Sequence, residues 1–170
     1  PNHLERVVSG GQTGIDQLAL EVARALGLPT GGVAPKGYLS EYGPDERLRD
    51  YGLEEHPTAD YPAITWANIE QSDATLLLGA VTGRTRFTLL SCEWLNIPYL
   101  LNPTTRELHA WLIERQIRVL NVAGNRESQL TSEQRATYRA VMLDGLSGSR
   151  RLGVLYHPKP HPWGLRGDRY

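Results

Sequence analysis

Arg6-Val7-Val8-Ser9-Gly10-Gly11-Gln12-Thr13-Gly14-Ile15-Asp16 is the stretch on which the fold of this 170-residue chain turns. Arg6-Val7-Val8-Ser9 is a short apolar run stopping at a glycine pair, the pattern of a buried strand that ends in a tight turn. From Gly14 onward Ile15, Leu18, Ala19, Val22, Ala23 and Leu26 recur at i, i+3, i+4 and i+7 spacing. The turn therefore opens directly into an amphipathic helix, which Gly27 and Pro29 stop.

The same alternation continues outward. Gly32-Val33-Ala34 is a weak second strand, and residues 35–60 read as one long loop rich in Pro, Gly, Tyr and charge. A loop of that length inside a compact domain is usually functional. A helix is expected over Pro62–Gln71, and Ala74-Thr75-Leu76-Leu77-Leu78 is the clearest buried strand. A helix over Thr85–Leu95, a strand over Pro98–Leu101, a helix over Arg106–Glu114 and a strand over Ile117–Val122 follow. Thr131 caps a last helix to about Leu143, with Glu133 or Gln134 near the capping-box position. Strands alternating with helices predict an α/β fold, a Rossmann-like three-layer domain over residues 1–145 with a mainly parallel sheet and helices on both faces. Residues 146–170 break the pattern and read as a C-terminal arm or tail. Leu152–Tyr156 is its one strand candidate, and Trp163 with the proline pairs suits an arm packed on the domain or on a neighbour.

Composition narrows the function classes. Eighteen Lys plus Arg face 19 Asp plus Glu, a net charge of −1, which speaks against a dedicated nucleic-acid binder. Sixteen of the 18 basic residues are Arg, which leaves Lys36 as the one lysine before Lys159. One cysteine, Cys92, cannot close an internal disulfide, so the cytoplasm is the expected compartment. No apolar run is long enough for a membrane span, and Pro1 to Glu5 lack a signal-peptide pattern. The five histidines show no metal-ligand spacing, and no metal site is expected.

In an open parallel sheet, ligands bind outside the carboxyl ends of the strands, and three conspicuous loops fall there. The first holds Ser9, Gly10, Gly11, Gln12, Thr13, Gly14 and Asp16. Its glycines let backbone approach a ligand, and the helix start presents free N–H groups to an anion. Asp16 is either a ligand contact or simply a first-turn carboxylate. The second loop, Ala80 to Thr85, repeats the logic with Gly83, Arg84 and Thr85. The third, Asn121 to Ser128, gathers Asn121, Gly124, Arg126 and Glu127. Lys36 beside Gly37, after a strand, is placed as a point charge for an anion. Ser9 and Thr85 lack a His–Asp partner, so a hydrolase triad is not expected and catalytic residues are unassigned.

Taken in order, Ser9 to Asp16, Gly31-Gly32 to Pro35-Lys36-Gly37, Ser72 to Leu76, Thr82 to Thr85 with Thr88, and Asn121 to Ser128 resemble the molybdenum carrier family (molybdenum cofactor carrier-like proteins). That family lies within a Rossmann-like superfamily that includes the lonely-guy phosphoribohydrolases and the DprA-type proteins. The resemblance implies a homo-oligomer (dimer or tetramer) and a site for a phosphorylated, nucleotide-like small molecule, with the molybdenum cofactor, a pterin phosphate, as the named ligand. It also implies departures. The phosphoribohydrolases carry a catalytic Glu on the helix after their Gly-Thr step, and this chain has Thr88 there, with Glu93 more than a turn away. Asn125 stands where the carriers commonly have Pro, a change expected to matter little. The favoured reading is a binding or carrier protein rather than an enzyme. The alternative is a nucleoside 5'-monophosphate phosphoribohydrolase with relocated acid–base groups, Asp16 and Glu127.

Overall fold

The structure, a computed structural model, describes residues 2–148. The strand candidate at Leu152–Tyr156 and the arm around Trp163 lie outside the described residues. The elements are β1 (Arg6–Val8), α1 (Ile15–Ala25), β2 (Thr30–Ala34), β3 (Leu39–Ser40), β4 (Gly43–Pro44), α2 (Arg47–Asp50) and β5 (Leu53–Glu55). They continue with α3 (Tyr61–Glu70), β6 (Ala74–Leu78), α4 (Gly83–Leu95), β7 (Tyr99–Leu101), α5 (Thr105–Glu114), β8 (Val119–Gly124) and α6 (Ser132–Leu146). Single 3-10 turns cover Lys36–Tyr38 and Glu127–Gln129. Helix α6 runs through the boundary expected at residue 145.

Six strands form one parallel sheet in the order β5-β2-β1-β8-β6-β7. The chain winds one way from β1 to β2 and β5, the other way from β6 to β7, and then returns to place β8 between them. Connections that depart in opposite directions leave a crevice above the carboxyl ends of β1, β8 and β6. Helices α1, α5 and α6 cover one face of the sheet, and α3 and α4 cover the other. Both faces being covered, β6 is apolar at almost every position. Ala74, Leu76 and Leu78 meet Leu18 and Val22 of α1, Leu108 and Leu112 of α5, and Met142 of α6 in the main core.

Two boundary devices fix the register. Asp73 Oδ2 accepts from the backbone N–H groups of Arg118 and Val119, both at 2.9 Å, and so ties the start of β8 to the start of β6. The expected capping box at the last helix forms with Gln134: Thr131 Oγ1 accepts from its amide at 3.1 Å, and its side chain accepts from the Thr131 amide at 2.9 Å. Asn2 Nδ2 donates to the carbonyl of Ser147 at 3.3 Å.

Residues 35–60 depart from the loop expected there. They contain the β3–β4 hairpin, the short α2 and the sheet's edge strand β5. Their anchors are Tyr38, Leu48 and Leu53, which bury with Leu20 and Ala34 in a second cluster. Elements of two to four residues are too short to display a period, which is why the sequence pattern missed them. The last strand also differs from expectation, since β8 begins at Val119 and runs two residues past Val122 to Gly124, taking the start of the expected third loop into the sheet.

Candidate functional site

A cavity of about 310 Å³ opens at the carboxyl ends of β1, β8 and β6. Loop one contributes Gly10 and Gln12, and the first turn of α1 contributes Asp16. Loop two and the start of α4 contribute Gly83, Arg84, Thr85 and Thr88. Asn121 and Gly124 of β8 form part of the wall, with Arg126 just beyond. Ten of the positions expected from the sequence therefore meet at one cavity.

The others lie elsewhere. Ser9 is buried beneath the loop, where its hydroxyl donates to the Asp16 carbonyl at 3.0 Å and accepts from the Gly11 amide at 3.3 Å. Gly11 packs on Leu48 and Leu53. Thr13, Gly14 and Glu127 line a second hollow on the far side of loop one. Lys36 is exposed, and its amide donates to the Thr58 carbonyl at 3.0 Å. The Gly37 amide donates to the Glu55 carboxylate. Neither Lys36 nor Gly37 lines the cavity or the hollow.

Asp16 is the chemically distinctive wall residue. It is 9 % exposed, and its Oδ2 accepts from the Gln12 amide at 3.2 Å. A Cβ on Gly10 would fall 3.2 Å from that oxygen, so the glycine is what lets backbone close over the carboxyl. Burial pushes the Asp16 carboxyl up from 3.8 to about 7, against the opposing pull of the amides of Gln12, Gly124 and Gly10 and of the Arg84 guanidinium. At neutral pH the group exchanges between acid and carboxylate.

The opposite wall comes from residues the sequence reading did not single out. Tyr61 opens α3, and its hydroxyl donates to the Arg84 carbonyl at 2.9 Å while the Arg84 guanidinium lies 4.4 Å from its ring centre. Asn68 is buried on the inner face of α3. Its Oδ1 accepts from the Val33 amide at 2.8 Å and its Nδ2 donates to the Val33 carbonyl at 2.9 Å, clamping α3 to β2. A polar residue one turn after Ile64, inside an apolar helix, was the available signal. Tyr61 carried none.

The β3–β4 hairpin roofs one side. Glu41 near its tip accepts from the Thr13 hydroxyl, from the Ser128 amide at 3.1 Å and from the Ser128 hydroxyl at 2.7 Å. Burial would raise the Glu41 carboxyl, but these hydroxyls and the amide, with Arg126 nearby, hold it below the ordinary range. The Glu41 side chain thus latches the hairpin to loops one and three, and Gln12 Oε1 adds a second tie by accepting from the Glu41 amide at 2.8 Å.

Asn125, expected to be a small change in turn stiffness, does more. Its Oδ1 accepts from the Ala80 amide at 2.7 Å. Its Nδ2 donates to the Ala80 carbonyl at 3.0 Å and to Thr85 Oγ1 at 2.9 Å. Loop two is held to loop three through this one buried side chain. Asn125→Ala should cost about 1–3 kcal/mol, because it strands the buried hydroxyl of Thr85 and removes both bonds to the backbone of Ala80; a chemical denaturation curve overlying wild type would refute that account.

Among the described residues no group of three His, Cys, Asp or Glu side chains is placed to hold a metal ion, and no helix is long and apolar enough to cross a membrane. Burial pushes the Cys92 thiol up to about 11, the signature of a packed rather than a reactive cysteine.

Comparison with known proteins adds two findings. The family described as the circularly permutated YpsA SLOG family matches residues 7–143. The crystal structure of a "putative molybdenum carrier protein" from Syntrophus aciditrophicus SB is similar at 32% sequence identity and a TM-score of 0.71, over 85% of this chain and 94% of that one. No curated protein matches the chain.

Proposed function

The chain belongs to the circularly permutated YpsA SLOG family, and from that premise we propose that it is a cytoplasmic binding or carrier protein for a phosphorylated, nucleotide-like small molecule, with the molybdenum cofactor as the named candidate. One observation carries the reading: the glycine turn after β1 and the helix start at Gly83–Thr85 face a common cavity. The amides of Gly11, Gln12 and Thr13 are already donated to Ser9, Asp16 and Gln12, so the helix start at Gly83 and Arg84 is the part that suits a phosphate, and Arg84 and Arg126 add positive charge beside it. Arg126 lies 4.0 Å from Glu41 and partly offsets its negative charge, and Asp16, raised to about 7, is protonated in part at neutral pH, which weakens its repulsion of an anion.

The remaining wall fits a flat heterocycle. Tyr61, Ile64 and Leu39 offer apolar surface, while Asp16 and Asn121 offer polar groups to ring N–H and carbonyl edges. A volume of about 310 Å³ sits at the small end of the ligand-pocket range. These features suit a pterin phosphate such as the molybdenum cofactor as well as a nucleotide.

Hydrolysis is less well supported. Thr88 takes the place of the phosphoribohydrolase Glu, and its hydroxyl donates to the Arg84 carbonyl at 3.1 Å. Glu93 accepts from the Tyr99 hydroxyl at 2.8 Å and does not line the cavity.

Native mass spectrometry of protein purified anaerobically at low salt, followed by denaturing release, tests the reading. A pterin or molybdenum-containing mass at one per subunit supports the carrier, and a nucleotide supports the broader binder. Free base and ribose phosphate released from added AMP would instead make it a hydrolase. With AMP or a pterin phosphate as the calorimetric probe, Arg84→Ala and Arg126→Ala should each weaken binding by about 1.5–3 kcal/mol, as loss of a charge-assisted contact does. Lys36→Ala should leave affinity unchanged, and a reversal of that order would move the phosphate site to the Lys36 turn.

A further inference from the structure

Segments that open within a folded protein are those with little buried apolar surface and few ties to their surroundings. The β3–β4 hairpin fits that description at its tip and not at its base. Tyr38 leads into the hairpin with its ring buried in one cluster with Leu20, Leu48 and Leu53, and its hydroxyl donates to the Leu53 carbonyl at 3.2 Å. That burial holds it at φ 52°, a left-handed value uncommon for an aromatic residue. The Asp45 amide donates back to the Tyr38 carbonyl at 2.9 Å and closes the base. Among the described core clusters none includes a residue of 39–44, and Leu39 and Tyr42 are 46 % and 70 % exposed. The ties at the tip are polar: Glu41 to Thr13 and Ser128, and Gln12 to the Glu41 amide. Open space lies on both sides. The hairpin separates the cavity from the hollow on the far side of loop one, which measures about 400 Å³, and Ser40 lines both.

We propose that the β3–β4 hairpin is a gate on the cavity, hinged at Tyr38 and Asp45 and held shut by the Glu41 latch. When the latch breaks, the hairpin swings toward the hollow and uncovers the side of the cavity that Leu39, Ser40 and Glu41 line. The groups freed by that motion are a carboxylate, two hydroxyls and backbone amides, all of which water can satisfy. Leu39 and Tyr42 are largely solvated before the hairpin moves, so opening exposes little apolar surface. At Gly43, φ 106°, nothing among the described residues lies within 4 Å of a Cβ, which leaves the turn free to change shape. A few buried anchors at the base and a breakable polar contact at the tip are the parts that a hinged lid needs. The device governs access to the cavity and uses no part of the ligand assignment.

Amide hydrogen exchange on the full chain, with no ligand added, tests the latch. One opening frees the Glu41 and Ser128 amides together, so their protection should agree within about threefold and fall about 100-fold or more below that of Val33, whose amide is held by buried Asn68. Glu41→Ala should speed exchange of the residue 41 amide about tenfold or more, because the charge-assisted ties are lost while Gln12 still faces that amide. Protection at Val33 and the thermal melt should stay as in wild type; a contact with a merely structural role would lower both. A thiol on the cavity wall then reads access. In Thr88→Cys, labelling by a bulky maleimide dye should run about tenfold faster once Glu41→Ala is added, while labelling by methyl methanethiosulfonate should change less than about twofold. Cys92, buried with its thiol pushed up to about 11, does not compete. Discordant protection at Glu41 and Ser128 overturns the gate. So does exchange at residue 41 that Glu41→Ala leaves untouched, or a bulky dye that gains nothing from the loss of the latch.

Discussion

Gly14→Ala is expected to destabilise the protein by about 3–5 kcal/mol, from the sum of backbone strain and overpacking. Gly14 precedes α1 with φ 81° and ψ −128°, a region that side chains with a Cβ do not occupy. A Cβ there would lie 2.4 Å from the Asn125 carbonyl oxygen and 2.6 Å from the Glu127 amide nitrogen, both backbone atoms of loop three. The Ile15 amide donates to that same Asn125 carbonyl at 3.1 Å, so relieving the overlap breaks the bond that holds loop one to loop three. Gly37 is the control. Its φ is 74°, yet nothing lies within 4 Å of its absent Cβ, so Gly37→Ala carries the strain alone, about 1 kcal/mol. In urea the Gly14 variant should lose roughly 2 M of midpoint, given an m-value of the usual size for this length. Equal midpoints for the two variants would show that loop one is not wedged against loop three.

The second large effect is in the pH dependence of stability. A carboxyl raised from 3.8 to about 7 on folding keeps its proton in the folded chain while the unfolded chain has lost it. Between those values the folded state binds more protons, so rising pH favours unfolding. At about 1.4 kcal/mol per pH unit, Asp16 should remove about 4 kcal/mol of stability between pH 4 and pH 7, with no further change above. Glu41 titrates in the opposite sense, since its lowered carboxyl contributes stability that is lost as pH falls. Subtracting the Asp16→Asn profile from wild type isolates Asp16. The difference should fall across that window, and the variant should be the more stable of the two at pH 8. A flat difference would mean that Asp16 titrates as an ordinary solvated carboxylate.

Long elements with a full period were legible in the sequence. Ala74–Leu78 is the strand expected there, and the helix after Gly14 lies where Ile15, Leu18 and Val22 place it. The cavity was legible to the extent that it is built from backbone turns: Gly10 and Gly124 mark close approaches, and Gly83 a helix start with φ 50°. Residues 35–60 were not, because Tyr38, Leu48 and Leu53 act through tertiary burial at irregular spacing. Tyr61 and Asn68 were missed for a related reason. Each reaches the cavity because α3 crosses over to the second half of the sheet, and no local pattern encodes a crossover. Lys36 shows the converse, since an isolated lysine after a strand is suggestive in one dimension, yet in three it is exposed and does not line the cavity.

The hydrogen bond from Asn2 to Ser147 closes the described domain into a near-ring. A short linker across that gap, with a new opening at an exposed turn between two elements, would change the order in which strands are synthesised. It would not change which strands are neighbours or which loops face one another. The cavity draws on turns separated by more than a hundred residues, from Gly10 to Arg126, and depends on sheet adjacency alone. Gene rearrangement can therefore renumber such a domain from any exposed turn and leave its binding crevice intact, which is the freedom that a family defined by permutation requires.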